Sequence, residues 1–494
     1  MKRVYISIST ELKVFALLAC ILLSSGCSLA PDYVRPELDM PGAFSAANAP
    51  ERDLAGYADV NRAWWQHFNS AALPRLQEAA LANNHNFRAD RWVLAQTFSR
   101  TRAARSVLLP AINLSGSASR RGSANAGGYS VSDVVGGTLQ ASYEVDIWGK
   151  NRDSVGAQEY RAEAGMNVWR GAGLSLESEV ALTYFSYLAA HENLSVYDSM
   201  LRNAKEVLAY QEKRETQGAE APLNVARQRS SVQNMEAGRI NYTVRVTEAR
   251  NNLCLLLGVT ALPEEIASCM EKETLMAIAP VVINEGIPSD LLVRRPDIAE
   301  MEARLMAANA DIGVARAAFL PGISLTASSG WQSGSLSSLI NPANALYSLA
   351  GSLVAPIFNN GKNIAQHDEA LAARNELVER YRQITLRAFW EVSTALSANE
   401  LLEQQEKHRA AASAQAAEAY RIARLRYTEG AEDFLAVLNA QDSVLSADNS
   451  MIQTHLERLN TVVSLFKALG GGWDGEGDMD AMRREFATIP GATL

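Results

Sequence analysis

A basic block is missing from this chain of 494 residues, in which 55 Asp and Glu outnumber 46 Lys and Arg and the formal net charge is −9. Binding to nucleic acid depends on neutralising phosphates with Lys and Arg, so a nucleic-acid partner is excluded. Long apolar runs are also scarce, because 20% of the residues are charged and the mean hydropathy is −0.10. These values exclude a membrane protein built from many spanning helices.

Proline is absent from two long stretches, one between Pro110 and Pro222 and the other between Pro356 and Pro490. A proline inside a helix costs ~3 kcal/mol, so proline-free stretches of this length favour very long helices. Each would measure ~100 Å at the α-helical rise and would not fit a globular domain. The predicted long helices cover residues 151–215 and 362–428, and each is followed by a turn and a returning helix.

The N-terminus predicts an export signal. Two basic residues precede an apolar run over 14–23, which is too short to cross a bilayer because a spanning helix needs about 20 residues. The run ends in Ser-Ser-Gly-Cys, so we predict that residues 1–26 are a lipoprotein signal peptide and that Cys27 carries covalent lipid, including palmitate. Ser28, rather than Asp, follows it and resembles lipoproteins sorted to the outer membrane. Ordinary cleavage beside an incidental cysteine is the alternative.

Residues that usually carry chemistry are few. Apart from the leader and Cys27, the cysteines are Cys254 and Cys269, which lie 15 residues apart. In an oxidising compartment they are predicted to form a disulfide, with two buried free thiols as the alternative. The six histidines are scattered, and no HExxH, P-loop, Rossmann or GxSxG motif stands out. We therefore predict no enzyme, no metal and no cofactor other than the lipid.

Short sequence landmarks recur at a fixed offset, which indicates an internal duplication. Leu109-Pro110 recurs as Leu320-Pro321, 211 residues later. The other pairs recur at an offset of 212: Gly149-Lys150 with Gly361-Lys362, Gly218-Ala219-Glu220 with Gly430-Ala431-Glu432, and Leu257-Gly258 with Leu469-Gly470. Matches in register over this length imply two homologous halves, each with the order helix, strand, strand, long helix, turn and long helix.

Each half also carries two segments in which apolar and polar residues alternate. Their lengths are close to the ~9–11 residues of a tilted transmembrane strand, although a soluble hairpin with one buried face alternates in the same way. In a membrane, four strands cannot close a barrel, because small barrels need about eight and open edges leave backbone groups unpaired. The chain would then share its barrel with copies of itself, two giving eight strands and three giving twelve. The predicted strands cover residues 112–119, 138–148, 323–331 and 347–357.

The last helix shows a heptad pattern, with residues that step by three and four as in a coiled coil. Two members, Asp442 and Asn449, are polar. They either specify register as buried polar residues or face a water-filled lumen, and both interpretations stay open. The predicted seam comprises Leu435, Leu438, Asp442, Leu445, Asn449, Ile452, Leu456, Leu459, Val463 and Phe466.

Several motifs together resemble the outer membrane factor family, the TolC-like exit ducts of tripartite efflux pumps, and most of all its lipoprotein, NodT-type branch. The resemblance spans nearly all of the mature chain. It implies a mixed α and β membrane protein, a homotrimer whose 12-stranded β-barrel, with four strands per chain, continues into a long α-helical coiled-coil tunnel in the periplasm. The motifs are Pro-Ser-Asp-Leu-Leu at 288–292, Arg-Arg-Pro-Asp-Ile at 294–298, the segment 308–321, and Ala-Leu-Gly-Gly-Gly-Trp at 468–473.

The resemblance also implies the domain organisation, including an equatorial domain around the waist of the tunnel. After the signal peptide at 1–26, the expected parts are an N-terminal anchor and equatorial segment (27–72), repeat 1 (73–258), an equatorial linker (259–290), repeat 2 (291–470) and a C-terminal equatorial tail (471–494).

The function that the resemblance implies is passive conduction out of the cell, with substrate delivered by an inner-membrane pump and a periplasmic adaptor, or membrane fusion protein. The expected location is the outer membrane of a Gram-negative bacterium, with a lipid anchor and a periplasmic extension. A type I secretion exit duct, a general diffusion porin and a trimeric adhesin or structural fibre are the alternatives. The long helices oppose the porin, and the paired hairpins with a lipid anchor oppose the fibre. The cargo stays open among drugs, detergents, metals and siderophores.

A periplasmic gate near the second turn is a further implication of the resemblance. Arg426 and Tyr427 match residues that tie to the neighbouring hairpin, and Leu435 matches an apolar ring across the threefold axis, although it could be only the first residue of the heptad seam. Asn439 and Asp442 are assigned to the same gate. With Thr428 they depart from the family, where Arg is expected in place of Thr428, Asp in place of Asn439 and Arg in place of Asp442, so Asp442 is a candidate cation-attracting ring. The expected adaptor contacts are Gly218, Ala219, Glu220, Gly430, Ala431 and Glu432.

Overall fold

The described part of the chain consists mainly of long helices and one small sheet. In the computed structural model it comprises residues 28–38, 63–125, 128–281, 283, 294–471, 482 and 484–486. Within these ranges, no helix combines the length and the apolar character needed to cross a lipid bilayer. In chain order, the elements are α1 (Ala72–Asn83), α2 (His85–Arg105), β1 (Ala111–Asn125), β2 (Gly128–Val145), α3 (Lys150–Thr216), α4 (Pro222–Leu256), α5 (Glu264–Met270), α6 (Pro296–Ala317), β3 (Gly322–Ser333), β4 (Ala345–Val354), α7 (Lys362–Thr428) and α8 (Phe434–Ala468).

The two halves of the chain are built alike, which confirms the predicted duplication. The long helices α3 and α7 each have 67 residues, and the returning helices α4 and α8 each have 35. Both pairs begin 212 residues apart, the offset read from the sequence. The predicted bounds 151–215 and 362–428 agree with α3 to within one residue at each end and with α7 at both ends.

The four strands form one antiparallel sheet in the order β1-β2-β3-β4, so β1 and β4 are its edges. Residues paired across antiparallel strands lie on the same face. The register places Ile112, Ala141, Ala327 and Leu349 side by side across the sheet. The predicted alternation therefore becomes one apolar face and one polar face.

The strand ends differ from the predicted ones. β1 and β2 pair through to Asn125 and Gly128, beyond the predicted ends, because Ser and Gly continue the pairing there without an apolar pattern to mark it. β2 ends at Val145. The side chain of the next residue, Asp146, accepts hydrogen bonds from the backbone N–H groups of Asn151 and Arg152 in the first turn of α3. β4 ends two residues before Pro356, which has no N–H for the sheet.

The main core lies where the roots of the long helices meet the short segments. Trp64 stacks on Phe466 with ring centres 5.2 Å apart, and Phe68 lies 5.2 Å from Phe185. The same core includes residues of α1 and α5. Described parts of the segments expected to be equatorial thus pack against α3 and α8, while the domain boundaries themselves stay predictions.

In the half of α8 nearest the turn, the most buried stripe differs from the predicted seam, whose Leu438 and Leu445 are partly buried against the same apolar cluster. The buried residues lie one position earlier, and the ring of Phe434 packs 5.3 Å from that of Tyr427, which turns this side of the helix toward the chain. From Ile452 onward the prediction is confirmed. The buried members are Phe434, Val437, Gln441 and Val444, followed by Ile452, Leu456, Leu459, Val463 and Phe466.

Cys254 and Cys269 are free thiols in the structure, contrary to the expected disulfide. Cys269 packs against the main core from α5. On α4 it is Leu253 that is fully buried, and Cys254 is turned from it by about 100° because it is the next residue of the helix. The two side chains therefore belong to different surroundings.

Candidate functional site at the helical tip and the sheet

The two turns that end the long helices are built in the same way. Gly218 and Gly430 have φ angles of 71° and 75°, a conformation that glycine adopts without strain. After each glycine, an alanine N–H donates to the carbonyl of an arginine at 2.9 Å, from Ala219 to Arg214 and from Ala431 to Arg426. Both hairpins thus end in equivalent turns, and these contain the six residues expected to contact an adaptor.

Tyr427 joins the second hairpin to the first. Its buried hydroxyl donates to a carboxylate oxygen of Glu220 at 2.5 Å and accepts from the side-chain amide of Gln211 at 3.1 Å. The side chain of Glu220 also accepts from Asn224 at 2.8 Å. The expectation that Tyr427 ties to the neighbouring hairpin is therefore met within one chain. Gln211 was not singled out by the sequence, and Glu220 was singled out only as a turn residue.

The ionisation of this contact favours a neutral tyrosine and a charged carboxylate. Burial, followed by the hydrogen bond to Glu220, raises the pKa of Tyr427 to about 12. For Glu220, burial alone would raise the pKa, but the hydrogen bonds from Tyr427, Asn224 and Ala221 outweigh it and lower the pKa. At neutral pH the hydroxyl keeps its proton and donates it to a carboxylate, which makes a strong type of hydrogen bond.

Each turn also holds an arginine–glutamate pair. Arg214 lies 3.9 Å from Glu220 in the first turn, and Arg426 lies 3.4 Å from Glu432 in the second. The pair recurs at the offset of the duplication. Unlike Tyr427, Arg426 therefore makes this ion pair inside its own turn and not with the other hairpin.

An exposed stripe runs along α8 beside the buried one. Leu435 is 43% exposed, and Asn439, Asp442 and Ser446 are exposed as well. These residues are spaced by four, three and four, so they line one side of the helix. The three gate candidates on α8 thus share a surface that a single chain leaves uncovered.

The apolar face of the sheet has the height of a membrane. On β2 it extends from Val145 to Val135, and the ten residue steps between them measure about 33 Å along the strand and about 25 Å in height for a strand tilted like those of transmembrane barrels. Side chains on this face are widely exposed, including Leu114 at 81% and Leu349 at 80%. Just beyond the band on the same face, Arg120 and Asp133 form an ion pair at 3.3 Å. Opposite it lies a polar row of Asn113, Gln140, Ser328 and Ser348.

Two expectations concern other parts of the molecule. Cys27, the expected lipid site, lies outside the described residues, although the segment from Ser28 onward is described. In the described part of the chain, no group of three or more His, Cys, Asp and Glu is placed to hold a metal ion.

A sheet with an apolar outer face and two open edges, continued by two helical hairpins of equal length, defines the protomer of a shared transmembrane channel. The chain belongs to the outer membrane efflux protein family, whose model matches residues 76–259 and 287–471.

Relatives in this family are similar along almost their whole length. The cation efflux system protein CusC of Escherichia coli is 32% identical over 460 residues, which cover 92% of this chain and 98% of CusC. The pyoverdine export outer membrane protein OpmQ of Pseudomonas aeruginosa is 32% identical over 482 residues, which cover 94% of this chain and 98% of OpmQ.

Solved structures show the same architecture. The CmeC outer membrane channel of Campylobacter jejuni superposes with a TM-score of 0.83 at 26% identity, covering 93% of this chain and 98% of CmeC. A membrane protein from Pseudomonas aeruginosa superposes with a TM-score of 0.81 at 30% identity, covering 90% of this chain and all of that one. The fold is that of the trimeric efflux channels, in which a β-barrel continues into a helical tunnel. The protein is accordingly an outer-membrane channel of an efflux system and not an enzyme.

Proposed function

We propose that three copies of this chain form the exit duct of a tripartite efflux pump, anchored by lipid on Cys27 and closed at the periplasmic tip when idle. A periplasmic adaptor would dock at the tip turns and connect the duct to an inner-membrane pump. The observation that carries the assembly is the four-stranded sheet, whose edges β1 and β4 are open and whose outward face is apolar. An open edge in lipid leaves backbone groups without partners, so copies must complete the barrel.

The duplication supports the same assembly. Within the chain, α6 packs against α3, and Ala303 on α6 and Leu174 on α3 are 2% and 4% exposed. Their counterparts in the other repeat, Trp92 on α2 and Leu386 on α7, are 54% and 44% exposed. The counterparts of two residues that are buried inside the chain are thus exposed on α2 and α7. Packing α7 of one copy on α2 of the next would cover both.

The test of the trimer is the native mass of the detergent-extracted protein, which we expect to equal three chains. Trp92→Arg and Leu386→Arg should each lower the trimer fraction. Leu336→Arg is the control, since Leu336 is 75% exposed in the connection between β3 and β4, far from the two helix faces. A monomer or dimer of the unmodified chain would reject the assembly.

The proposed gate consists of Arg426, Tyr427, Leu435, Asn439 and Asp442. Tyr427 holds the second hairpin to the first through Glu220, while Leu435, Asn439 and Asp442 lie on the uncovered stripe of α8. In a trimer with this stripe turned to the axis, Leu435 would form an apolar ring and Asp442 a ring of negative charge about 10 Å farther from the tip. Opening requires contacts that differ between two states, and the Tyr427–Glu220 hydrogen bond is such a contact.

The proposed adaptor site is formed by the two turns, 218–220 and 430–432. A photo-crosslinking amino acid in place of Ala219 or Ala431 should capture the adaptor in cells, with Ser337 near the opposite end of the sheet as the control position. Capture from Ser337 alone would contradict this orientation.

The relatives named above serve cation efflux and pyoverdine export, so the cargo of this duct is best assigned by measuring efflux of both classes in a deletion strain.

The proposed lipid anchor is tested by metabolic labelling with a palmitate analogue. The unmodified chain should be labelled and Cys27→Ser should not. Equal labelling of both would reject lipidation at Cys27. Because the barrel also holds the protein in the membrane, some efflux should survive in Cys27→Ser.

A further inference from the structure

The N-terminal strap, residues 28–35, runs along α6 in the direction opposite to the helix. Near its start, the carbonyl of Leu29 accepts from Arg316 at 3.0 Å, and the carbonyl of Pro31 accepts from Asn309 at 2.5 Å. Near its end, the guanidinium of Arg35 makes two hydrogen bonds to the carboxylate of Glu302, at 2.7 and 2.8 Å.

The strap and the helix match in length. Six residue steps, from 29 to 35, reach at most about 21 Å. Fourteen residue steps of helix, from 316 back to 302, span about 21 Å. The strap bends at Ala30 and is held to α6 at both ends and in the middle.

The first residue of the strap is held by α3. The hydroxyl of Ser28 donates to the carboxylate of Asp153 at 2.6 Å, and Asp153 is 8% exposed. The backbone passes so close to α6 at Gly313 that a Cβ there would lie 2.7 Å from the N atom of Ala30. A side chain at position 313 would displace the strap.

This seat, formed by Asp153, Glu302, Asn309, Gly313 and Arg316, occurs once per chain. Asp153 belongs to repeat 1 and the other four residues belong to repeat 2. Their counterparts in the opposite repeat, at offsets of 212 and 211, are Ala365 for Asp153, Arg91 for Glu302, Phe98 for Asn309, Arg102 for Gly313 and Arg105 for Arg316. Apart from Arg105, which replaces Arg316, these residues could not make the same contacts. The seat is therefore not a by-product of the duplication.

The seat also lies close to the lower edge of the apolar band of the sheet. Asp153 is in the first turn of α3, which begins five residues after the end of β2 at the lower edge of the apolar band. Ser28, the first described residue, directly follows Cys27 in the sequence. Acyl chains on Cys27 would enter the lipid at the foot of the band.

We propose that the seat fixes the lipid-bearing N-terminus at the inner surface of the membrane, with Asp153 as its positioning residue and the strap of the same chain as its ligand. This inference rests on the proposed lipidation of Cys27. It also gives residue 28 a structural requirement, because an acidic residue there would put a second carboxylate against Asp153.

Chymotrypsin tests the seat in the purified, full-length, palmitate-labelled trimer. Cleavage after Tyr33, whose hydroxyl donates to Glu302 at 3.2 Å in the seated strap, removes the labelled fragment, and the chain then begins at Val34. Asp153→Ala, Ser28→Ala and Gly313→Leu should lose label at least about 10-fold faster than the unmodified chain, as expected for loss of a hydrogen bond to a charged group or of the space for the strap. Initial labelling should be unchanged, because the substitutions leave Cys27 in place.

Asp311→Ala is the matched control. Asp311 is also on α6 and pairs with Arg161 of α3, so this variant removes a tie between the same helices without touching the strap and should lose label at the unmodified rate. Ser28→Ala keeps both helices intact if the other variants fold poorly. Equal cleavage rates in Ser28→Ala and the unmodified chain would overturn the seat. If the unmodified chain carries no label, lipidation has failed, and the N-terminal sequence of the cleaved chain still reports whether the strap is seated.

Discussion

Tyr427 and Glu220 stand 207 residues apart in the chain and are joined by a hydrogen bond of 2.5 Å between the tips of the two helical hairpins. In the proposed gate, this hydrogen bond is the latch between one turn and the other. Phe434 packs against the tyrosine ring, so the proposed latch is in contact with the start of α8, where the exposed gate candidates begin.

Removing both the latch and the apolar ring should open the tip. We expect Leu435→Ser combined with Tyr427→Phe to raise single-channel conductance in planar bilayers and to sensitise cells to large antibiotics. The phenylalanine keeps the ring packed on Phe434 and removes only the hydroxyl. Unchanged conductance in a correctly assembled double-mutant trimer would put the closure elsewhere.

Acid should weaken the latch. The pKa of Glu220 is lowered from its ordinary value of 4.5, so its contacts stabilise the folded tip above that value and are lost as the pH falls through the lower folded pKa. Conductance should stay constant above pH 4.5 and rise as the pH falls below that value. Glu220→Gln should remove this acid response, whereas Glu432→Gln should keep it. An undiminished response in Glu220→Gln would show that another group controls it.

Two neighbouring residues of β4 should respond in opposite ways to a charge. Leu349 is in the apolar band, and an arginine facing lipid near the membrane centre costs about 2–4 kcal/mol. Ser348 is in the polar row of the other face. We expect Leu349→Arg to reduce trimer yield in the outer membrane sharply and Ser348→Arg to leave yield close to normal while changing ion selectivity. Similar yields would mean that the two faces are assigned wrongly.

Alanine should be tolerated better in the tip turn than at the helix root. Gly218 and Gly258 have φ angles of 71° and 67°, so alanine at either costs about 1–2 kcal/mol of strain. At Gly218 nothing surrounds the new Cβ, whereas at Gly258 it would lie 2.5 Å from the carbonyl oxygen of Asn83. Gly258→Ala should therefore lower the thermal midpoint of the trimer more than Gly218→Ala in scans at one rate. Equal shifts of the thermal midpoint in the two variants would show that the backbone around Gly258 moves to accommodate the new Cβ.

The long elements could be predicted from the sequence because their signals are local and occur twice. The absence of proline, together with the glycine landmarks before and after each long helix, located α3 and α7 to within one residue. The phase of α8 could not be predicted in the same way. Two adjacent stripes, one starting at Phe434 and the other at Leu435, are both largely apolar, and only the packing of Phe434 on Tyr427 decides which one is buried.

The residues of the helical tip could be predicted only in part from the sequence. The family resemblance pointed to Tyr427, and the duplication pointed to Glu220 as a turn residue. Their pairing, like that of Ser28 with Asp153, depends on how distant segments meet and has no sequence periodicity. The disulfide expected from the spacing of Cys254 and Cys269 failed on the same ground, since the number of residues between cysteines of two different helices does not decide whether their side chains meet.

The equal lengths of the hairpins have a consequence for how this chain can change. A deletion of one residue from α3 alone would shorten that hairpin by about 1.5 Å and rotate its turn by about 100° relative to its twin. The two turns would then no longer lie level, and a ring of six turns from three copies would become uneven. Changes in tunnel length should therefore occur in both halves together and in whole helical turns, and a designer who wishes to lengthen the tunnel should make four matched insertions, one in each of α3, α4, α7 and α8.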